Sequence, residues 1–166
     1  MYGMSSSEVE IEPCRGEFIA QLAELWKEYI VDQGDDPLHQ YFDLKASMEG
    51  FRRILEGYMK KEPGGFLVAT AGDEVVGFAV SFRDAFSPNY VTKGRIGQIQ
   101  IVHTKRGFRR RGIATKLVKA ALGYLEENGC SIILAETGEK NTGSLRMLEK
   151  LDFYERGKLV TLIKKV

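Results

Sequence analysis

The chain has 166 residues, 43% hydrophobic and 28% charged, with a formal net charge of +1. That is one ordinary domain with enough chain for a real core, and its composition excludes a disordered or coiled-coil protein. No apolar run approaches the ~18–20 residues that cross a bilayer, and the balanced charge excludes a global attraction to nucleic acid or to a membrane surface.

Residues 1–8 lack the basic and apolar regions of a signal peptide and are expected to be a disordered tail before one domain spanning 9–166. The two cysteines, Cys14 and Cys130, fit neither a disulfide framework nor a metal-ligand spacing. Both are expected to be reduced core thiols of a cytoplasmic protein, and no metal is expected.

Val9 to Cys14 reads as a first strand. Phe18, Ile19, Leu22, Leu25, Trp26, Tyr29 and Ile30 recur at helical spacing, with a stop at Gln33-Gly34. A polar loop follows. Phe51, Ile54, Leu55, Tyr58 and Met59 mark a second helix, ended by Pro63-Gly64-Gly65. Phe66 to Ala71 and Val75 to Phe82 flank Gly72-Asp73-Glu74 as a hairpin.

After Ser87-Pro88-Asn89, a fourth strand runs from about Ile96 to Thr104. Gly112 opens a third helix, with Ile113, Leu117, Val118, Ala121, Leu122 and Leu125 on its apolar face and Asn128-Gly129 at its end. Ser131 to Ala135 reads as a buried strand, Asn141 to Leu151 as a fourth helix, and Phe153 to Val166 as two short closing strands. The fold class is therefore α/β (α+β), with a mixed, mostly antiparallel central sheet of about seven strands flanked by four helices. The strand–helix–strand unit from Ile96 to Ala135 is expected to be parallel.

The chemistry-bearing segment is Arg109-Arg110-Arg111-Gly112-Ile113-Ala114-Thr115, between a strand and a helix. With Lys105 and Arg106 it puts five cations into seven residues of a chain that is otherwise net negative. The first turn of a helix has N–H groups without internal partners and carries the positive end of the helix dipole. A glycine lets the backbone approach a bulky anion. Together these make a phosphate cradle. A solvated basic turn and an RNA-binding patch with Phe108 as a stacking residue are the competing readings, the second without any other basic stripe to support it. No Gly-Lys-Ser/Thr follows at P-loop spacing.

Arg109-x-x-Gly112-x-Ala114 resembles the Gln/Arg-x-x-Gly-x-Gly/Ala signature of the GCN5-related N-acetyltransferases (GNAT family). Asn141-x-x-Ser144-Leu145, followed by Leu151-Asp152-Phe153, resembles that family's downstream signature, and the order of elements is similar from about residue 9 to 166. The resemblance implies a GNAT-like acyl-CoA N-acyltransferase fold with acetyl-CoA as the acetyl donor and a small-molecule or peptide amine as acceptor. It implies no nucleic-acid or membrane partner, and a homodimer by family habit.

It also implies roles for residues. Backbone N–H groups from Arg110 to Thr115, beside Arg109, Arg110 and Arg111, would hold the pyrophosphate, with the Thr115 hydroxyl able to add a bond. The strand end from Val102 to Thr104 would splay from the fifth strand near Ala135 and receive the pantetheine arm. Asn141 would bond that arm or cap its own helix, with Ser144 nearby.

Relatives carry a Glu or His base on the fourth strand, where this chain has Gln98 and Gln100, which can only order water. The family's general-acid Tyr position is Leu148, and its Gly before Phe is Asp152. Tyr154, Tyr90, Tyr41 and His39 are the remaining acid candidates, and His103 falls one residue off the parity of Gln98 and Gln100. The acceptor is expected to meet Asp35, Asp36, His39 and Tyr90. Four aspartates between Asp32 and Asp43 suggest a small cationic amine. A peptide or protein Nα-acetyltransferase and a catalytically weak acetyl-CoA sensor are the alternatives.

Overall fold

The computed structural model of the chain describes residues 8–32, 43–62, 64–85, 94–158, 160, 162 and 164. They divide into two compact units, one within Met1–Ala135 and one within Glu136–Val166.

In the first unit the elements follow the apolar pattern: β1 (Val9–Pro13), α1 (Ile19–Asp32), α2 (Leu44–Lys61), β2 (Phe66–Ala71), β3 (Glu74–Phe82), β4 (Arg95–Thr104), α3 (Ile113–Glu127) and β5 (Cys130–Ala135). One five-stranded sheet forms in the order β1-β2-β3-β4-β5. The first three pairings are antiparallel, and β4 pairs with β5 in parallel across α3. The β2–β3 loop has two residues, since Ala71 pairs with Glu74. Gly72 supplies the positive φ of 63° that such a loop demands at its first position.

On one face α1 and α2 close over the sheet. Leu22, Leu55 and Val68 are at most 1% exposed, packed in one cluster with Phe18, Leu25, Phe51, Phe66, Phe78 and Val80. On the other, α3 buries Ile113, Leu117, Val118, Ala121 and Leu125. Its approach is close: a Cβ at Gly97 would lie 2.9 Å from Leu125 Cδ2 and 3.0 Å from Cys130 Sγ. Cys14 and Cys130 are both free and buried.

α2 begins earlier than its apolar markers. The Asp43 side chain accepts from the Ala46 N–H at 2.9 Å, an N-cap that starts the helix at Leu44.

The second unit contains α4 (Thr142–Glu149). Its end turns through Asp152 at φ 63°, with Asp152 N–H to Glu149 O at 3.1 Å and Phe153 N–H to Leu148 O at 3.1 Å, a Schellman-type closure. The two expected closing strands are absent among the described residues. Residues 153–158 pair with nothing as a ladder, and Tyr154, Val160 and Leu162 are 91%, 78% and 88% exposed. Alternating apolar residues give a segment the capacity to pair, but a strand exists only where another backbone completes its hydrogen bonds. The described residues therefore form a sheet of five strands where about seven were expected. No described helix is long and apolar enough to cross a membrane.

Candidate functional site

The turn between β4 and α3 reverses the chain in few residues. A single 3₁₀ turn, Arg106–Phe108, follows Lys105, whose N–H is held by Val76 O at 2.9 Å. Arg109 is extended, Arg110 is left-handed at φ 65°, and Gly112 is left-handed at φ 77°, ψ 6°. The Lys116 N–H reaches Gly112 O at 3.0 Å, so it is the first N–H of α3 to bond back. The N–H groups of Ile113, Ala114 and Thr115 are the unpartnered donors of the helix start. A Cβ at Gly112 would meet nothing within 4 Å, which leaves open space at this corner. A left-handed residue next to a right-handed helix turn aims successive N–H groups inward, as an anion nest requires.

The basic cluster is largely neutralised by the fold. Lys105 pairs with Glu74, and both Arg106 and Arg109 pair with Asp32, the last residue of α1. Arg106 Nε donates to Asp32 Oδ1 at 2.9 Å, and Arg109 Nε donates to Thr104 O at 3.0 Å. One turn back, Glu28 Oε1 accepts from the Arg106 backbone N–H at 2.8 Å and from His103 Nε2 at 3.1 Å. Partial burial works to raise the Asp32 carboxyl, but hydrogen bonds from Arg106 and Arg109 outweigh it and hold it below the usual carboxylate range. Burial lowers His103 below its ordinary 6.5, against the pull of Glu28, so its ring is neutral at pH 7.

Glu28, Asp32 and His103 have ligand atoms within 4.8 Å of one another. Both carboxylates already hold arginines, which makes the group an ion-pair network rather than a cation site. Of the five cations, Arg110 and Arg111 have no carboxylate partner among the described residues. The Arg111 guanidinium lies 5.1 Å from the centre of the Phe108 ring. Arg109, expected beside the phosphates, thus has its side chain committed to Asp32 and Thr104, because a guanidinium next to a carboxylate forms the stronger, charge-assisted bond.

The register along β4 changes the expected geometry of its side chains. Val80 pairs with Ile101 and Ser81 with Ile99, so Gln100 is an extra residue, a bulge. Cross-strand partners share a face. Phe78, Val80 and Phe82 lie with the α1–α2 core and pair with His103, Ile101 and Gln98. Gln98 and His103 therefore share that face, while Gln100 stands exposed at the bulge. The expectation that Gln98 and Gln100 share a face and that His103 opposes them is corrected: one inserted residue shifts the period-2 pattern by one.

Pairing with β5 ends at Ile99–Ala135, so among the described residues Ile101 to Thr104 of β4 pair on the β3 side alone, and Gln100 is the unpaired bulge between the two stretches. Val102 and Thr104 lie in this one-sided stretch. The Thr104 hydroxyl is buried with no hydrogen-bond partner among the described residues.

In the second unit, Asn141 is the N-cap of α4, its side-chain oxygen accepting from Ser144 N–H at 3.2 Å. Of the four aspartates read as an acceptor loop, Asp32 binds two arginines and Asp43 caps α2. Asp35, Asp36, His39 and Tyr90 lie outside the described residues, as does Tyr41. Glu28 was missed in the sequence, and Asp32 was read as one charge of an acidic loop instead of an anchor for arginines. Their signal was present: two carboxylates at i and i+4 on one helix face repel unless cations are supplied, and the downstream cluster supplies them.

Residues 20–153 match the family described as Acetyltransferase (GNAT) family. The chain is 26% identical over 133 residues to an uncharacterized N-acetyltransferase of Methanocaldococcus jannaschii, covering 75% of this chain and 58% of that one. It is 33% identical over 86 residues to N-alpha-acetyltransferase 30 of Homo sapiens, covering 52% of this chain and 23% of that protein. It thus spans little more than half of the first relative and less than a quarter of the second. Among solved structures it is similar to a Pyrococcus horikoshii OT3 protein, with a TM-score of 0.71 and 28% identity over 92% of this chain and 93% of that one.

Proposed function

The chain belongs to the acetyltransferase (GNAT) family, and from that premise we propose that it transfers an acetyl group from acetyl-CoA to a free amine, the preferred acceptor being the α-amino group of a peptide. The observation that carries the donor reading is the corner at Gly112. There an open, left-handed glycine precedes the unpartnered N–H groups of Ile113, Ala114 and Thr115. Such donors suit a pyrophosphate, and Arg110 and Arg111 are the cations still free to meet it. The one-sided stretch of β4 from Ile101 to Thr104 offers backbone groups for an extended arm, and the bulge at Gln100 an N–H to polarise a carbonyl. When bound, acetyl-CoA supplies the acetyl group as an activated thioester.

The amine must lose a proton before it attacks. A lysine-type amine with a pKa near ~10.4 costs about 4.6 kcal/mol to deprotonate at pH 7, whereas an α-amine near ~7.7 costs about 1 kcal/mol. Gln98, half-buried on the α1–α2 face, orders water and cannot take the proton. A site without a carboxylate base on β4 favours the amine that is easier to deprotonate. The 33% identity to an N-alpha-acetyltransferase points the same way.

A small cationic amine is the second reading. Asp35 and Asp36 support it, although Asp32 and Asp43 are engaged within the fold. Thiol release from acetyl-CoA decides between them. The panel is a peptide with a free N-terminus, the same peptide Nα-blocked but containing lysine, a polyamine and an aminoglycoside. Turnover restricted to the free N-terminus supports the first reading, and turnover on the polyamine or aminoglycoside alone supports the second. Coenzyme A binding without turnover on any of the four overturns both in favour of a sensor.

A further inference from the structure

We propose that Asp32, at the C-terminal end of α1, is a positioning residue for coenzyme binding: by holding Arg106 and Arg109 together it fixes the strained turn whose backbone receives the phosphates. The inference rests on the acetyl-CoA reading above and deepens it.

The turn needs outside support. It contains a non-glycine residue, Arg110, in the left-handed region, and a second left-handed residue two positions later at Gly112. Such conformations persist only where the surroundings over-determine them. Between Lys105 and Arg109 the turn's own backbone bonds are Phe108 N–H to Lys105 O at 2.8 Å and a long Arg109 N–H to Arg106 O at 3.3 Å.

At its start the turn is held from β3, where Val76 O and Glu74 grip Lys105, and further restraint comes from α1. Arg106 is gripped twice, its N–H by Glu28 and its guanidinium by Asp32. Arg109, immediately before the left-handed Arg110, is tied to Asp32 on one side and to Thr104 O on the other. Asp32 thus anchors both ends of the 3₁₀ turn to a helix that has no part in the cradle itself. Its charge also cancels the repulsion between two guanidiniums that would otherwise stand side by side. Glu28 is locked to the buried His103, which keeps the carboxylates of α1 in register with the turn.

The two roles that Asp32 could have predict opposite signs. As a positioning residue it strengthens coenzyme binding. As a competitor for arginines that would otherwise reach the phosphates, it weakens it. The test is calorimetric titration of coenzyme A into wild type, Asp32→Asn, Asp32→Glu and Arg109→Gln, with kcat and KM measured on the best acceptor of the panel above.

The expected result is a rise of about tenfold in the coenzyme A Kd and the acetyl-CoA KM for Asp32→Asn, with kcat and the acceptor KM within about twofold. Asp32→Glu recovers most of the affinity. Arg109→Gln reproduces the loss, and the double variant Asp32→Asn/Arg109→Gln is no weaker than either single one. A general loosening of the fold would not spare kcat and the acceptor KM in this way. If Asp32→Asn does not fold, Arg109→Gln carries the same expectation. Unchanged or tighter coenzyme A binding by the folded variants overturns the proposal. Absence of coenzyme A binding by wild type overturns the acetyl-CoA reading itself, and the proposal with it.

Discussion

Two glycines at α3 offer one substitution with opposite consequences. Gly112, just before the helix, has φ 77° and Gly123 lies inside it; a Cβ at either meets nothing within 4 Å. Sterics are therefore equal, and only backbone conformation separates them. At Gly123 alanine removes the entropy penalty of an interior helix glycine, a gain of about 0.8–1 kcal/mol. At Gly112 alanine is forced into the left-handed region, a cost of about 1–2 kcal/mol. For a chain of this size each kcal/mol moves Tm by about 2–4 °C. Gly112→Ala should then lower Tm by about 2–8 °C, and Gly123→Ala should raise it by about 2–4 °C. Gly112→Asn should fall in between, because asparagine tolerates the left-handed region.

Thermal unfolding followed by circular dichroism reads all three. Coenzyme A titration adds the functional side: Gly112→Ala should weaken binding about tenfold, as the backbone leaves the conformation that aims the Ile113–Thr115 N–H groups, while Gly123→Ala leaves it unchanged. A Gly112→Ala protein as stable as Gly123→Ala would refute the reasoning, since it would mean that the corner does not require a positive φ.

Asp152→Gly should stabilise the chain by up to about 1 kcal/mol, because the left-handed C′ position of a Schellman closure costs a side chain and not a glycine; urea unfolding would show it as a higher midpoint. Gly97→Ala should destabilise by about 1–3 kcal/mol through contact with Leu125 and Cys130, and a compensating Leu125→Val should restore part of the loss in the same assay. His103, faced by Glu28, Asp32 and Tyr29 of α1 and by Arg109, has a lowered native pKa. The native state then binds fewer protons than the unfolded chain, so the contribution is fully present above pH 6.5 and is lost as pH falls from there towards the lower native value. Tm of wild type should therefore drop more between pH 7.5 and 5.5 than that of His103→Gln, and equal drops would count against a neutral buried ring.

Much of the fold was legible because apolar periodicity reports directly on burial. Most of the residues that marked α1 and α3 are those the structure buries, and the hairpin announced itself through Gly72, although three loop residues were read where two form because Glu74 pairs with Ala71. What was not legible depends on partners. The start of α2 was written in Asp43, but an aspartate reads equally as a helix cap or as one charge of an acidic loop until the helix behind it is known. The closing segment alternates like a strand, yet alternation says nothing of whether a neighbour is there to pair with it. Asn141 carries both a capping signal and a family motif, and its oxygen is used for the cap.

Charge shows the same dependence most sharply. Read along the chain, Lys105 to Arg111 is a block of five cations, and a block of that kind suggests a strong anion field. The field at a point depends on which countercharges the fold brings within a few ångströms, and here α1 and β3 bring Asp32, Glu28 and Glu74. Three cations are engaged within the fold, and two have no carboxylate partner among the described residues. The proposed cradle would be untouched by that subtraction, since its donors would be backbone N–H groups set by Gly112 and by the start of α3, which no countercharge removes. The acceptor side is subject to the same subtraction with the signs reversed: of four aspartates, one is bound by arginines and one by a helix terminus. Under the proposed function a cationic acceptor would have only Asp35 and Asp36 of the four to meet, half the charge that the sequence displays, and an α-amine, needing less help to lose its proton, would be the better match to a β4 strand that presents glutamine instead of a carboxylate.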